Sequence, residues 1–419
     1  MRTTICTPPA DGAQGTVKMS TLEIDRDDDL YERRATRAAP PPSTFASFWA
    51  GGFESACHIA RRGRVDMIAC TQHDRWAAED YALLRRAGIR TARDTARWHL
   101  IDRDGRYDFS SFLPSLRAAQ RHGVQVIWNL FHYGWPDGLD LFSGEFIDRF
   151  ARFCSAVARC VADHVDEPPF YTPVNEISFF SWAAGHDGNM HPFTLGKAGQ
   201  IKRQLVRAAV AGCEAIWEVD RRARFVHTDP LIHVVTPLEF PELWSVAESL
   251  RLSQFESWDM LSGRREPDLG GREEYLDIMG VNFYGSNQWD VLGGFVLWHV
   301  LPRDERWVPL HQLLRDLYER YRRPIFIAET GHVGVGRAPW IREIADEVVL
   351  ARDAGVPVEG VCLYPVLDRH DWDDESHWHN SGLWELVDDG HGKLQRVVCK
   401  PYMRELRRAQ RLLRARGCI

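Results

Sequence analysis

The chain has 419 residues, of which 44% are hydrophobic and 26% charged, and a formal net charge of −7. This balance fits a globular protein with a large core, excludes a fibrous or wholly disordered chain, and gives no basic field for nucleic acid or an anionic membrane. The length accommodates two or three ordinary domains or one α/β barrel.

Residues 1–43 differ from the rest: "DRDDDLYERRATRAAPPPS" is charged and then Pro-rich. With so little to bury it reads as a disordered or loosely attached leader, dispensable for fold and activity. "TFASFWAGGFESA" opens the folded part, 44–419, with the first strand in either "FASFWAG" or "DMIAC". From there apolar runs alternate with stretches of helical period. Helix "RWAAEDYALLRRAG" stops at Gly and leads to strand "IRTAR". Helix "DFSSFLPSLRAAQRHG" opens on an Asp cap and closes on Gly, followed by strand "VQVIWNLF". The long amphipathic "GEFIDRFARFCSAVARCVADHV" precedes strand "PFYTPV", and "KRQLVRAAVAGCEAIWEV" precedes "ARFVHT" and "DIMGVNFY". Then come helix "LHQLLRDLYERYR", strand "PIFIAET", helix "IREIADEVVLARDAG", strand "VEGVCLYPV" and a final helix "YMRELRRAQRLLRAR".

Strands this continuously apolar suit a parallel sheet covered by helices. About eight alternations predict an α/β fold, a single (β/α)8 TIM barrel with enlarged βα loops. A doubly wound sheet instead places a GxGxxG turn after its first strand; "GGFESACH" and "GHVGVG" lack that spacing, and no Walker motif occurs. No cofactor is expected. "VLGGFVLWHVL" is too short to span a bilayer, and no apolar N-terminal run reads as a secretory signal. Nine cysteines without CxxC or zinc-finger spacing read as reduced core residues of a cytoplasmic protein.

In a barrel, the C-terminal strand ends converge on one mouth. Polar residues sit at these ends: Glu54; Arg93; Asn129 and His132; Asn175 and Glu176; His227 and Asp229; Asn282 and Tyr284; Glu329; Tyr364, with Asp371 and Trp372 beyond. Each alone is explained by a solvated rim. Glu176 and Glu329, however, end the fourth and seventh strands, and a retaining glycosidase needs two carboxyls roughly 5 Å apart. One must hold a proton near neutral pH and the other must stay ionised. Arg93 and Tyr284 are placed to keep Glu329 ionised, and Asn175 to hold a sugar 2-hydroxyl.

"TPVNEI" and "IFIAETG" resemble the Asn-Glu and Thr-Glu-Asn-Gly signatures of family 1 glycoside hydrolases, retaining β-glycosidases of clan A. The likeness runs from about residue 45 to the end. "WNLFHYGWPDGL" resembles the family's Tyr-His-Trp-Asp-Leu-Pro, which implies a glycone contact for His132. "IRTARDTARWHLI" resembles Arg-x-Ser-Ile-Ser-Trp-Ser-Arg-Ile and implies that Arg93 lies near the nucleophile. "DIMGVNFYGS" matches Asp-Phe-Leu-Gly-Ile-Asn-Tyr-Tyr at Asn282 and Tyr284. "LYPVLDRHDWDDE" is similar to Trp-Ser-Leu-Leu-Asp-Asn-Phe-Glu-Trp-Ala, implying Tyr364 at the subsite floor and Asp371 with Trp372 at the outer hydroxyls. The resemblance implies Glu176 as acid/base and Glu329 as nucleophile in β-glucosidase-like hydrolysis of a glycoside. The chain departs from the family at "GFESA", where Gln-Ile-Glu-Gly is expected, at Tyr364 for Trp, at Asp371 for Glu, and at His332 after "ETG". These departures touch sugar recognition rather than bond cleavage.

"DWDDESHWH" also has the look of a metal cluster around His377 and His379, but it mixes hard and soft ligand types and has no second cluster to pair with, so no metal is expected. His186 and His191 read as loop residues at the entrance. The rival functions are a non-catalytic carbohydrate-binding barrel, which would lack one of the two carboxylates, and a transglycosylating or endo-acting enzyme on the same barrel.

Overall fold

The computed structural model describes residues 44–417; the leader, 1–43, lies outside them. Eight parallel strands close a barrel: β1 (Trp49–Gly52), β2 (Thr91–Thr95), β3 (Gln125–Asn129), β4 (Phe170–Thr172), β5 (Arg224–Pro230), β6 (Ile278–Asn282), β7 (Ile325–Thr330) and β8 (Val358–Leu363). Neighbours follow chain order, and β1 closes the ring by pairing with both β8 and β2. The first strand is thus in "FASFWAG". "DMIAC" instead forms the short helix Met67–Cys70, because Asp66 caps it by accepting a 3.2 Å bond from the Ala69 amide.

Helices α1 (His73–Arg86), α2 (Leu113–His122), α3 (Gly144–Ala162), α4 (Ile177–Trp182), α5 (Ala198–Trp217), α6 (Leu310–Tyr321), α7 (Arg337–Asp353) and α8 (Lys400–Ala415) occupy the connections and the C-terminus. Their ends follow the sequence signals. Asp108 accepts from the Ser110 amide in the turn ahead of α2, and Gly123 ends α2 in the left-handed region at φ 59°. Ser143 caps α3, which buries Phe146, Phe150, Phe153, Val157 and Val161 along one face. Truncating such a buried Phe to Ala costs about 3–5 kcal/mol.

Ala50, Ile127, Phe170, Val226, Ile278, Phe326, Ala328 and Cys362 fill the barrel interior. Phe45 closes the N-terminal end, its ring 5.1 Å from that of Phe170 and 4.8 Å from that of Phe326. The interior is packed at this end, so polar function is left to the other.

Strand parity decides which side chains reach that other end. In β2, Arg93 points inward, while Asp94 points out to α1, accepting from Tyr81 at 2.6 Å and lying 3.0 Å from His73. His73 also meets Asp80, which pairs with Arg396 at 2.7 Å. Burial works against the His73 proton, but Asp94 and Asp80 outweigh it and push the imidazole up to about 9. This ion network ties α1 and the Trp384–Asp388/Leu394–Val398 hairpin to the strand that carries Arg93.

In β5, Thr228 points inward, whereas His227 meets Cys213 of α5 at 3.9 Å and Asp229 bonds outward to Ser178 and Ser257. The expectation that His227 and Asp229 share the mouth is therefore corrected by the two-residue alternation of a strand. In β7, Ile327 pairs with Val281 but Glu329 with Asn282, so Ala328 is an inserted residue. This bulge turns Glu329 into the mouth.

Candidate active site

Arg93 organises the mouth. Its Nη1 donates to Glu329 Oε1 and to the Ala328 carbonyl, both at 2.8 Å; its Nη2 donates to Asn129 Oδ1 at 3.1 Å and to Asn175 Oδ1 at 2.7 Å. One fully buried guanidinium thus joins the ends of β2, β3, β4 and β7. Tyr284 donates to the other Glu329 oxygen at 2.9 Å, and Thr228 donates to Asn175 Oδ1 at 2.8 Å.

Glu176 faces a different set. Asn282 donates to its Oε1 at 2.8 Å, and the Tyr133 hydroxyl donates to its Oε2 in a short hydrogen bond. Glu176 and Tyr133 both hold left-handed backbone, φ 48° and 69°. Non-glycine residues in that region cost of order 1–3 kcal/mol each and cluster at functional sites. The Asn175 amide lies 3.3 Å from both His132 Nε2 and the Tyr133 hydroxyl.

Tyr364 forms the floor. Its ring lies 5.5 Å under the Arg93 guanidinium and stacks at 17° to His132 with centroids 6.4 Å apart. A Cβ on Gly52 would fall 2.2 Å from that ring, so only glycine fits there. The Tyr364 hydroxyl donates to Glu54 Oε1 at 3.2 Å, and Arg369 pairs with Glu54 Oε2 at 3.1 Å. Trp372 packs against His58, Tyr133 and Phe179. Asp371 bonds to His379 at 3.1 Å and accepts from the Asp373 amide. His186 is exposed, while His191 packs on Trp135. Among the described residues, no group of His, Cys, Asp or Glu is arranged to hold a metal ion.

Tyr133, Thr228, Arg369 and His58 belong to this cleft and were missed in the sequence. Tyr133 could have been found from its place beside His132 in "FHYGW", and Thr228 from its parity in β5.

The two carboxyls sit in opposite electrostatic settings. Burial, joined by the charge on Glu329, pushes Glu176 up to about 8; the bonds from Tyr133 and Asn282 only partly offset this. Burial also raises Glu329, and its carboxyl stays above the usual carboxylate range although the adjacent Arg93 charge and the bonds from Arg93 and Tyr284 partly offset the rise. Glu176 has only neutral donors whereas Glu329 faces the Arg93 guanidinium, a setting that favours the pair's charge on Glu329 and its proton on Glu176. Burial and the nearby Arg93 charge hold His132 well below the usual imidazole range, so it is neutral. Tyr133, Tyr284 and Tyr364 are raised well above the phenol range and remain donors.

Removing one partner of a buried ion pair leaves the other charge uncompensated. Arg93→Ala is expected to cost about 3–5 kcal/mol in denaturant unfolding at pH 7, and adding Glu329→Gln to recover part of that loss. Unchanged stability in the single variant would show that the pair does not bear on folding.

No family model and no curated protein sequence matches the chain. Solved structures do. A family 1 β-glucosidase from Thermotoga maritima matches at 14% identity and a TM-score of 0.69, covering 89% of this chain and 99% of that one. The β-glucosidase from Thermotoga maritima in complex with glucoimidazole matches at 14% identity and a TM-score of 0.70, covering 88% and 98%. The same enzyme in complex with deoxynojirimycin matches at 14% and 0.69. The chain therefore has the barrel fold of these β-glucosidases over most of both lengths, at low identity.

Proposed function

We propose that this protein is a retaining β-glycosidase, β-glucosidase-like, acting by double displacement through a glycosyl-enzyme. The observation that carries this reading is the asymmetric pair: Glu329 held by Arg93 and Tyr284, and Glu176 held only by Tyr133 and Asn282. In the first step a Glu329 oxygen attacks the anomeric carbon while the Glu176 proton passes to the departing glycosidic oxygen. In the second, Glu176, now a carboxylate, takes a proton from water, whose oxygen attacks the same carbon and releases Glu329. Two inversions give net retention, for which the carboxyls must stand about 5 Å apart.

The remaining residues fit a polyhydroxylated ligand. Asn129 Nδ2, His132 Nδ1, Asn282 Oδ1 and Trp372 Nε1 are buried polar atoms with no partner within the protein, the kind of group that sugar hydroxyls satisfy. Asn175 is assigned to the 2-hydroxyl. Glu54, Tyr364, Trp372 and Asp371 are assigned to the others, with Arg93 and Tyr284 orienting the nucleophile. The carbohydrate-mimic complexes of the similar β-glucosidases support a carbohydrate substrate. The seven described cysteines are free thiols, which supports a cytoplasmic setting. No described helix is long and apolar enough to cross a membrane.

A panel of gluco-, galacto- and fuco-configured aryl β-glycosides tests the reading. At least one is expected to be hydrolysed with the β-anomer appearing first by NMR. An α-anomer appearing first would mean inversion, and no turnover on any sugar would favour a carbohydrate-binding barrel. On an alkyl glycoside, which needs the proton, kcat/KM is expected to fall with rising pH through an apparent pKa near that of Glu176, about 8. The sign follows from the role: the acid form is active, so activity is lost above its pKa. A profile flat to pH 10 would remove Glu176 as the proton donor.

A further inference from the structure

Glu176 is the residue from which α4 starts, and the helix runs Ile177-Ser178-Phe179-Phe180-Ser181-Trp182. Phe179 and Trp182 stand at three-residue spacing within this helix, so the two share a helix face. The rings are contiguous along it. Tyr133, the donor to Glu176, lies 5.7 Å from Phe179, and Phe179 lies 6.0 Å from Trp182. Trp372 lines the other side, 6.1 Å from Tyr133 and 6.3 Å from Phe179. Phe179 is half-buried, and Trp182, at the outer end, is 43% exposed.

The chemistry fixes what this face meets. On the hydrolase reading, on which this inference rests, the oxygen that Glu176 protonates belongs to the leaving group. The aglycone must therefore depart past the proton donor, along α4. The face offers it no free hydroxyl: Ser178 Oγ donates to Asp229 at 3.0 Å and Ser181 Oγ to the Ile177 carbonyl at 2.6 Å. A second sugar there would leave most of its hydroxyls unmatched, whereas an apolar group would bury itself and the exposed Trp182 edge together. We propose that Phe179 and Trp182 form an aglycone subsite for an extended apolar group, making the preferred substrates glycosides of hydrophobic alcohols rather than disaccharides.

The test compares methyl and octyl β-glycosides of the sugar that the aryl panel selects, since the two alcohols leave with similar acidity. The wild type is expected to favour octyl over methyl in kcat/KM by at least about tenfold, and to prefer octyl to the corresponding disaccharide. Trp182→Ala and Phe179→Ala are each expected to reduce the octyl-to-methyl ratio several-fold, and the double variant to bring it near one. Leu350→Ala, which removes an exposed apolar residue near the C-terminal end of α7, at the end of the barrel away from the mouth, should leave the ratio where it was. A wild-type ratio near one, a disaccharide preferred to octyl, or a ratio unmoved in the double variant would each overturn the subsite. If neither glycoside is turned over, the hydrolase reading has failed, and calorimetric binding of an octyl thioglycoside decides the subsite alone: a dissociation constant raised at least about fivefold by Trp182→Ala keeps it, and an unchanged one ends it.

Discussion

Glu329→Ala is expected to lower turnover of every glycoside by at least about 10⁴-fold, because no other group can form the covalent intermediate. The loss should be independent of leaving group, since the missing atom is the attacking one. Sodium azide should restore turnover by occupying the space of the lost carboxylate and attacking the anomeric carbon from that face. One inversion from a β-glycoside then gives an α-glycosyl azide. Arg93 and Tyr284 remain in place in this variant, and Arg93 keeps its bonds to Asn129 and Asn175, so the cleft retains its donors. Formation of the β-azide in this variant would exchange the roles of the two carboxylates.

Glu176→Ala should behave differently. For aryl glycosides with acidic leaving groups, the first step needs little protonation and should survive, so the glycosyl-enzyme accumulates as a burst. For alkyl glycosides the first step itself should slow by about 10²–10⁴-fold, the usual contribution of a general acid. Azide, which needs no general base, should release the intermediate as a β-glycosyl azide. Loss of activity equal for aryl and alkyl substrates would place Glu176 outside proton transfer. The distinction follows from what each carboxyl touches: a guanidinium at 2.8 Å for Glu329, and neutral donors from Tyr133 and Asn282 for Glu176.

The barrel was legible because its signals are local and redundant. Apolar strands such as "PIFIAET" alternate with helices bounded by Asp108, Ser143 and Gly123, each of which acts through its own backbone or side chain. The short pieces were not legible. His233–Val235, which pairs with Gln288–Asp290, and the helix Met67–Cys70 are too brief to show a period. At the mouth, Glu176 and Glu329 could be named because both end strands. Tyr133 stood beside His132 in "FHYGW", but its bond to Glu176 comes from a left-handed backbone, and a conformation of that kind leaves no mark on residue spacing. Arg369 sits in an irregular loop and meets Glu54 across a sequence distance that no local pattern encodes. His227 is the instructive error. It shares parity with Phe225 and Asp229, and Thr228 takes the inward place, so the alternation of β5 already pointed His227 toward the helices.

The central claim is that Glu329 forms a covalent bond to the sugar while Glu176 carries the proton. A 2-deoxy-2-fluoro-β-glycoside with an acidic leaving group tests it most directly, because the fluorine slows release of the intermediate more than its formation. Mass spectrometry of the intact protein should gain one fluoroglycosyl unit, and peptide sequencing should locate it on Glu329. An adduct on Glu176, or none under conditions in which aryl glycosides are turned over, would contradict the account.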